Sequence, residues 1–427
     1  MSAPARSLAA ALAYQQSVHG PAIDLGLERV RTVAARLGLL ERRCPAVIVG
    51  GTNGKGSTAV SLAALLQACG QHTGLFTSPH LVRYNERIQV DGMKADDAAL
   101  LRAFERIEAV RGPITLTFFE YNTLAALEIF RCAQVSIMVL EVGLGGRLDA
   151  TNIIDADVAL LCSVGMDHRD WLGDTLEQIG AEKSGIFRRR QAVVLGSADM
   201  PASVWQRLQA LECRVHTAGR DFSAVVDSAD PAGRWSYVSG SCRLQALPPP
   251  ALAGTVQYCN AAAALTALNL LAVSGACERE HVVRGLGEVR LPGRFQIVPG
   301  QPEWILDVAH NEPAAVVLAA ALQARHCAGR TYGVIGMLAD KDVAAVARAL
   351  DHSIDCWLLA ALDDEPRGLS AETLQTRLPP LRGQIERCGR MAEACVRARA
   401  LAQLQDRVVV FGSFHAVGPA LVWLGLY

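Results

Sequence analysis

The stretch from Ala46 to Ala68 limits what this chain can fold into more than any other. Ala46-Val47-Ile48-Val49 is a short apolar run closed by Gly50-Gly51, the pattern of a strand buried on both faces. Ser57 to Ala68 is apolar over a helical length, and Gly70 supplies a stop. Between them stands Gly51-Thr52-Asn53-Gly54-Lys55-Gly56-Ser57-Thr58. A strand, a glycine-rich turn and a helix, in that order, let backbone amides converge on a phosphate, and the helix N-terminus adds partial positive charge. In such a loop Lys55 reaches the β- and γ-phosphates, and Ser57 or Thr58 helps hold magnesium. The loop is a variant one: Val49 replaces the first expected glycine, and Gly56 stands where Ser or Thr usually follows the lysine. The plainer alternative is a glycine-rich turn with a chance lysine. A guanine-reading string would be Asn-Lys-x-Asp or Thr-Lys-x-Asp; the nearest, Ala339-Asp340-Lys341-Asp342, lacks the Asn, which favours ATP over GTP.

The alternation continues on both sides of this unit. Helical patterns cover Leu8 to Val18 and Leu25 to Leu39, and strand-like runs cover Ile137 to Glu141, Val158 to Cys162 and Ala192 to Leu195. Strands alternating with helices predict a mostly parallel sheet covered on both faces. Residues 213–250, with shorter alternating stretches and Pro248-Pro249-Pro250, predict a small antiparallel excursion. Leu291-Pro292-Gly293-Arg294-Phe295 reads as a hinge, after which strands recur at Trp304 to Val308, Tyr332 to Ile335, Cys356 to Leu359 and Val408 to Phe411. The expected class is α/β: a phosphate-loop, parallel-sheet ATP-binding domain over 1–290, a linker over 291–298 and a smaller Rossmann-like domain over 299–427.

Composition closes off other classes. A net charge of −1 gives no field for nucleic acid or anionic lipid, so neither partner is expected. Arg188-Arg189-Arg190 reads as a solvated helix end. Twelve scattered cysteines without a C-x-x-C pair fit reduced thiols in the cytoplasm. The apolar patch Leu8 to Leu12 is too short for a signal peptide, and no run approaches the roughly 20 apolar residues that span a bilayer.

Three residues at predicted strand ends are candidates for cations that phosphate chemistry requires. Ser78 lies in Thr77-Ser78-Pro79-His80, Glu141 precedes Gly143-Leu144-Gly145-Gly146, and His168 follows Asp167. Glu141 is a good oxygen ligand for a hard cation. A lone histidine is more often a structural hydrogen-bonder, and Lys183 in Glu182-Lys183-Ser184-Gly185 reads by itself as a surface lysine.

Together these strings resemble the folylpolyglutamate synthase and dihydrofolate synthase family of the Mur ligase superfamily. The resemblance spans Ile23 to Arg29, the loop at 51–58, Ser78 to Tyr84, Phe119-Glu120-Tyr121, Glu141 to Asn152, Asp167-His168 and Glu182 to Ile186. It continues through Leu291 to Phe295, Asp307 to Asn311 and Gly412 to His415, in the form of the bifunctional bacterial branch. It implies that Gly51, Thr52, Asn53, Gly54, Lys55, Gly56, Ser57 and Thr58 hold ATP phosphates, with Asn260, Arg294, Asp307 and His310 engaging the nucleotide. It implies two magnesium sites, one on Ser78 and one on Glu141 with His168, and a carbamylated Lys183. Leu25, Arg83, Thr117, Phe119, Asp149 and Ala150 match the folate pocket, and Ser413 and His415 lie near the incoming glutamate. Taken singly, Leu25 and Phe119 would read as core and Arg294 as solvated. Glu312 departs from the family's usual proline after His-Asn and adds negative charge near the expected nucleotide, while Gly180, Ser184 and Gly165-Met166 are lesser departures.

The implied reaction is ATP-dependent: a dihydropteroate or reduced-folate carboxylate attacks the γ-phosphate, and the amine of L-glutamate displaces phosphate from the acyl phosphate. No protein nucleophile is required; catalysis would rest chiefly on Lys55, Glu141, His168 and Lys183, in a monomer whose partners are these small molecules. Two alternatives stand beside it: a Mur enzyme extending a peptidoglycan precursor, for which little chain precedes residue 51, and a non-catalytic nucleotide-binding regulator.

Overall fold

The computed structural model describes residues 7–41, 44–227, 230, 232–240 and 242–427. Met1 to Arg6, part of the segment weighed as a leader, lie outside these. The chain divides into two compact units: 1–164 with 171–251 and 258–289, and 165–170 with 252–257 and 290–427.

Among the described residues the main sheet of the first unit has eight strands: β1 (Ala46–Gly50), β2 (Thr73–Phe76), β3 (Ile88–Val90), β4 (Met93–Lys94), β5 (Ile137–Glu141), β6 (Val158–Leu161), β7 (Ala192–Leu195) and β8 (Arg214–Thr217). Their order is β4-β3-β2-β5-β1-β6-β7-β8. From β2 to β8 all neighbours are parallel, and only β3 and β4 run antiparallel at one edge. Every residue of β1, β2, β5, β6 and β7 is buried, as continuous apolar runs require.

Helices α1 (Leu8–Val18), α2 (Glu28–Arg36), α3 (Lys55–Ala68), α4 (Asp97–Arg111) and α5 (Phe118–Ala133) come from its first 133 residues. The apolar positions of α2, α4 and α5 (Val30, Val33, Leu100, Ile107, Leu124 and Phe130 among them) join Ile48, Phe76 and Leu140 in one core. Helix α2 starts at Glu28, three residues after the predicted Leu25, which lies half-buried in the preceding loop.

The excursion expected over 213–250 is smaller than the sequence suggests. Strands β9 (Phe222–Val226), β10 (Trp235–Ser239) and β11 (Cys242–Leu247) form a three-stranded antiparallel sheet. The strand β8, within the same stretch, instead pairs parallel with β7 and extends the main sheet. As an edge strand, with Arg214 exposed and Val215 and His216 half-buried, it lacks the continuous apolar run of a strand buried on both faces.

The second unit carries β12 (Gln296–Val298), β13 (Glu303–Leu306), β14 (Thr331–Ile335), β15 (Cys356–Ala361), β16 (Gln384–Arg390) and β17 (Arg407–Phe411), ordered β12-β13-β17-β14-β15-β16. All pairs are parallel except β12 with β13. Residues 291–298, expected as a linker, belong to this unit, and their last three residues form β12 because Gln296, Ile297 and Val298 pair with Leu306, Ile305 and Trp304. β2, the β3–β4 hairpin and β16 carry too few consecutive apolar residues to announce themselves in the sequence.

Candidate active site

In the first unit β1 lies between β5 and β6, so the loops after these three strands share the carboxyl end of the sheet centre. The register sets Val49 beside Glu141 and Gly50 beside Leu161, which brings the Glu141 carboxylate to the level of the loop that follows β1.

That loop depends on backbone shapes only glycine adopts readily. Gly51 has φ +144°, and a Cβ there would meet Cys162 Cβ at 3.0 Å; Gly54 has φ +88°, and a Cβ would meet Asn260 Oδ1 at 2.9 Å. Gly54 ends the loop in a left-handed conformation and α3 begins at Lys55, so the Lys55, Gly56 and Ser57 amides belong to the first helical turn, where no intrahelical partner exists. The amides of Thr52 and Asn53, expected among the phosphate donors, face the other way: Thr52 N donates to Ser163 O (2.8 Å) and Asn53 N to Ser163 Oγ (3.0 Å). These two residues brace the loop. Ser57 and Thr58 are both buried, and the Thr58 hydroxyl is engaged, accepting from Cys162 Sγ at 3.5 Å. Ser163 was not singled out by sequence, although its position just past β6 marks it.

Lys55 Nζ donates to Gly51 O (2.9 Å) and Thr52 O (3.1 Å). Lys183, read by itself as a surface residue, is buried, and its Nζ donates to the same Gly51 oxygen at 3.1 Å. Two ammonium groups thus converge on one carbonyl. Glu141 is buried at the end of β5, and its Oε2 accepts the Ser78 amide at 3.0 Å. Carboxylate and hydroxyl oxygens suit a hard divalent cation. Among the described residues no three His, Cys, Asp or Glu side chains cluster as a metal cage.

The loop that carries Ser78 folds around Glu86, whose oxygens accept the amides of Leu81, Val82 and Arg83 at 2.7–3.0 Å. Arg87 follows it. Its buried guanidinium lies over the rings of Tyr84 and Phe118, and its Nε donates to His80 Nδ1 at 2.7 Å. Burial pulls its pKa down, against the neighbouring charges of Tyr84, Glu141 and Glu86. Neither Glu86 nor Arg87 stands out in the sequence.

Of the expected folate residues, Thr117 and Phe119 lie at the start of α5 and Asp149 and Ala150 after the turn that follows β5. Thr117 caps α5, accepting from Glu120 N, and Glu120 returns a bond from Thr117 N at 2.7 Å. Phe119 packs against Phe76, its ring tip so close to Gly143 that a Cβ there would lie 2.4 Å away. Asp149 is buried, and its carboxylate accepts Gly143 N, Leu144 N, Thr151 N and Thr151 Oγ1 at 2.6–3.0 Å. Burial raises its pKa against those four bonds. Asp149 therefore shapes the glycine-rich turn, with Ala150 buried just behind it. Arg83 is exposed and pairs with Asp97 at 3.4 Å. Asn260 is buried beside Gly54.

His168, Arg294, Asp307, His310, Ser413 and His415 belong to the second unit. Asp307, at the end of β13, accepts Phe295 N (2.7 Å) and Ala309 N (2.8 Å), and burial raises its pKa despite Arg294. Arg294 lies 5.0 Å over the Phe414 ring. Ser413 caps the helix Phe414–Trp423, and His415 Nδ1 pairs with Glu365 at 3.0 Å. His310 Nδ1 donates to Val308 O, and its Nε2 lies 3.5 Å from Asp167. Asp167 is a hub: burial works to raise its pKa, but His310, His168 and Lys341 hold it well below the usual carboxylate range.

A doubly wound first unit with a variant phosphate loop and a strand-end carboxylate, followed by a smaller parallel-sheet unit, is the architecture of a Mur ligase. Residues 49–268 match the Mur ligase middle domain, and residues 293–414 match the Mur ligase glutamate ligase domain. Within that superfamily the chain belongs to the dihydrofolate synthase/folylpolyglutamate synthase family of ATP-dependent ligases. It is 44% identical over 418 residues to the Escherichia coli K12 dihydrofolate synthase/folylpolyglutamate synthase, covering 98% of this chain and 95% of that protein. The Haemophilus influenzae enzyme of the same name is 36% identical, with 96% of each chain covered. The structure of E. coli FolC in complex with DHPP and ADP superposes with a TM-score of 0.93 at 41% identity, covering 100% of this chain and 99% of that one. A bifunctional folylpolyglutamate synthase/dihydrofolate synthase with Mn, AMPPNP and L-glutamate bound gives 0.90 at 40% identity, with 100% of both chains covered.

Proposed function

We propose that the chain adds L-glutamate to 7,8-dihydropteroate and to tetrahydrofolates, in the cytoplasm, through an acyl phosphate made from ATP. The observation that carries this reading is the register that sets Glu141 beside the phosphate loop, in a chain of this family. No helix among the described residues is long and apolar enough to cross a membrane, and no two described cysteines are joined as a disulfide, which supports a reducing compartment.

The first-turn amides of α3 and Lys55 hold the β- and γ-phosphates, and the substrate carboxylate attacks the γ-phosphorus in line. Divalent cations, when bound, neutralise charge on the phosphate oxygens; Ser57, Ser78, Glu141 and His168 are the residues that would hold them. The amine of glutamate then attacks the acyl carbon, and phosphate leaves. Asp149 keeps the turn at 143–146 in shape, and the pocket around Thr117 and Phe119 orients the pterin acid. Arg294, Asp307, His310 and Asn260 serve the nucleotide, and Ser413 and His415 the glutamate. At Lys183, exchange of the ammonium for a carbamate replaces one of the two cations that share Gly51 O with an anion. A carbamate carbon resonance after incubation with 13C-bicarbonate, lost in Lys183→Arg, tests that step.

Incubation with ATP, Mg2+, L-glutamate and dihydropteroate should yield ADP and dihydrofolate in equal amounts, only when all substrates are present. Repetition with tetrahydrofolate reads the second activity. ATP bound without turnover would favour the regulator reading instead.

A further inference from the structure

We propose that Lys341 is a positioning residue for His168, acting through Asp167; the proposal rests on the reading of His168 as a cation ligand. Lys341 follows β14 and is separated from Asp167 by 174 positions, yet its Nζ lies 2.6 Å from Asp167 Oδ1, with the two side chains 7% and 8% exposed. The same Oδ1 accepts the backbone amide of His168 at 2.8 Å. His168 has φ +52°, a left-handed conformation that a non-glycine residue rarely adopts without support. Asn311 Nδ2 donates to the other oxygen, Oδ2, at 2.9 Å, and the His310 Nε2 lies 3.5 Å from it.

The geometry assigns separate duties to the two oxygens. Oδ2 anchors the carboxylate to the start of the helix Glu312–Ala324 and lies 3.9 Å from the His168 Nε2, and Oδ1 fixes the His168 backbone. Lys341 is the group that holds Oδ1 in place. Asp340, 3.5 Å from Lys341 Nζ, also pairs with Arg367 at 3.2 Å, so the lysine is steered from behind as well. Released from Lys341, the carboxylate rotates, the His168 amide loses its acceptor, and the left-handed backbone relaxes, which re-aims the imidazole. Partners that orient a ligand in this way typically change metal affinity or activity about 10- to 100-fold when removed.

The test compares Lys341→Met, Lys341→Arg and His168→Gln in the full-length enzyme by Mg2+ titration of turnover at saturating ATP, alongside Tm. Lys341→Met should raise the half-saturating Mg2+ concentration about tenfold and lower kcat about tenfold, and Lys341→Arg should recover most of both. His168→Gln should shift the Mg2+ dependence in the same direction. If His168→Gln shifts it and Lys341→Met does not, the positioning role is overturned while the ligand reading stands. If neither shifts it, the ligand reading itself fails, and the proposal with it. A drop in Tm and kcat at an unchanged Mg2+ requirement would make Lys341 a merely structural partner of a buried carboxylate. Should Lys341→Met not fold, Lys341→Gln, which keeps a donor without the charge, takes its place under the same outcomes.

Discussion

Both units are largely parallel sheets, but they equip the carboxyl ends of their strands differently. In the first, the phosphate loop is made of backbone: two left-handed glycines and a helix N-terminus, with Lys55 and Lys183 laid across one carbonyl. In the second, the equivalent strand ends carry side chains held by other side chains, as in the Asp167 hub with Lys341, Asn311 and His310. A backbone-built site tolerates no added Cβ, whereas a side-chain-built site depends on partners far away in sequence. The largest expected effect falls where the backbone site meets its charged groups. Lys55→Ala and Glu141→Ala should each lower kcat about a thousandfold, with Tm nearly unchanged, because the proposed mechanism sets both groups on charge that develops during phosphoryl transfer. Near-normal turnover in either variant would dismantle the site.

A methyl group at Gly54 probes the contrast more directly. Its φ of +88° and the Asn260 oxygen at 2.9 Å both oppose a side chain, so Gly54→Ala should weaken binding of an ATP analogue about tenfold and destabilise the fold by about 1–2 kcal/mol. Calorimetric titration with AMPPNP and urea unfolding would read the two effects. An unchanged affinity would mean the loop's shape is not set by its glycines.

The same contrast explains what the sequence made legible. The loop at 51–58 announces itself because its demands are local: a strand, glycines at fixed places, a lysine and a helix. The sheets were readable because Ala46 to Gly50 and Val408 to Phe411 are buried on both faces and so stay apolar throughout. Lys183 misled because burial depends on packing against Gly51, 132 residues away. Glu86 and Arg87 were invisible for a related reason: their roles consist of bonds to loop amides and rings that only the folded chain collects. The edge strand β8 belongs to the main sheet but does not read as such, because an edge position leaves it without the continuous apolar run that marks the inner parallel strands.

Side-chain construction also appears within the first unit, away from the loop, and there pH can test it. Helix α1 is tied to α4 and α5 by Glu108, which accepts from Tyr14 (3.2 Å), Arg111 (2.8 Å) and Tyr121. Burial pushes the Glu108 pKa up, but Arg111, Tyr121 and Tyr14 outweigh it and hold the group below its usual 4.5. A depressed carboxylate pKa means that ionised Glu108 stabilises the fold above about pH 4.5 and that this contribution fades as pH falls through the folded value. Glu108→Gln should therefore cost about 1–2 kcal/mol at pH 7 and progressively less toward pH 3, as read by urea unfolding. A gap that widens on acidification would reverse the argument.

The smallest effect is expected at Glu312, the departure that most threatened nucleotide binding in the sequence. It is exposed in the first turn of the helix Glu312–Ala324, next to the capping Asn311. An exposed acid there opposes the partial positive charge of the helix end, worth about 0.3–1 kcal/mol, and is screened by salt. Glu312→Ala should lower Tm slightly and change kcat/KM for ATP less than twofold. A tenfold gain in ATP affinity would place its charge at the nucleotide, and the second unit's strand ends would then carry a long-range field that the local hub around Asp167 does not account for.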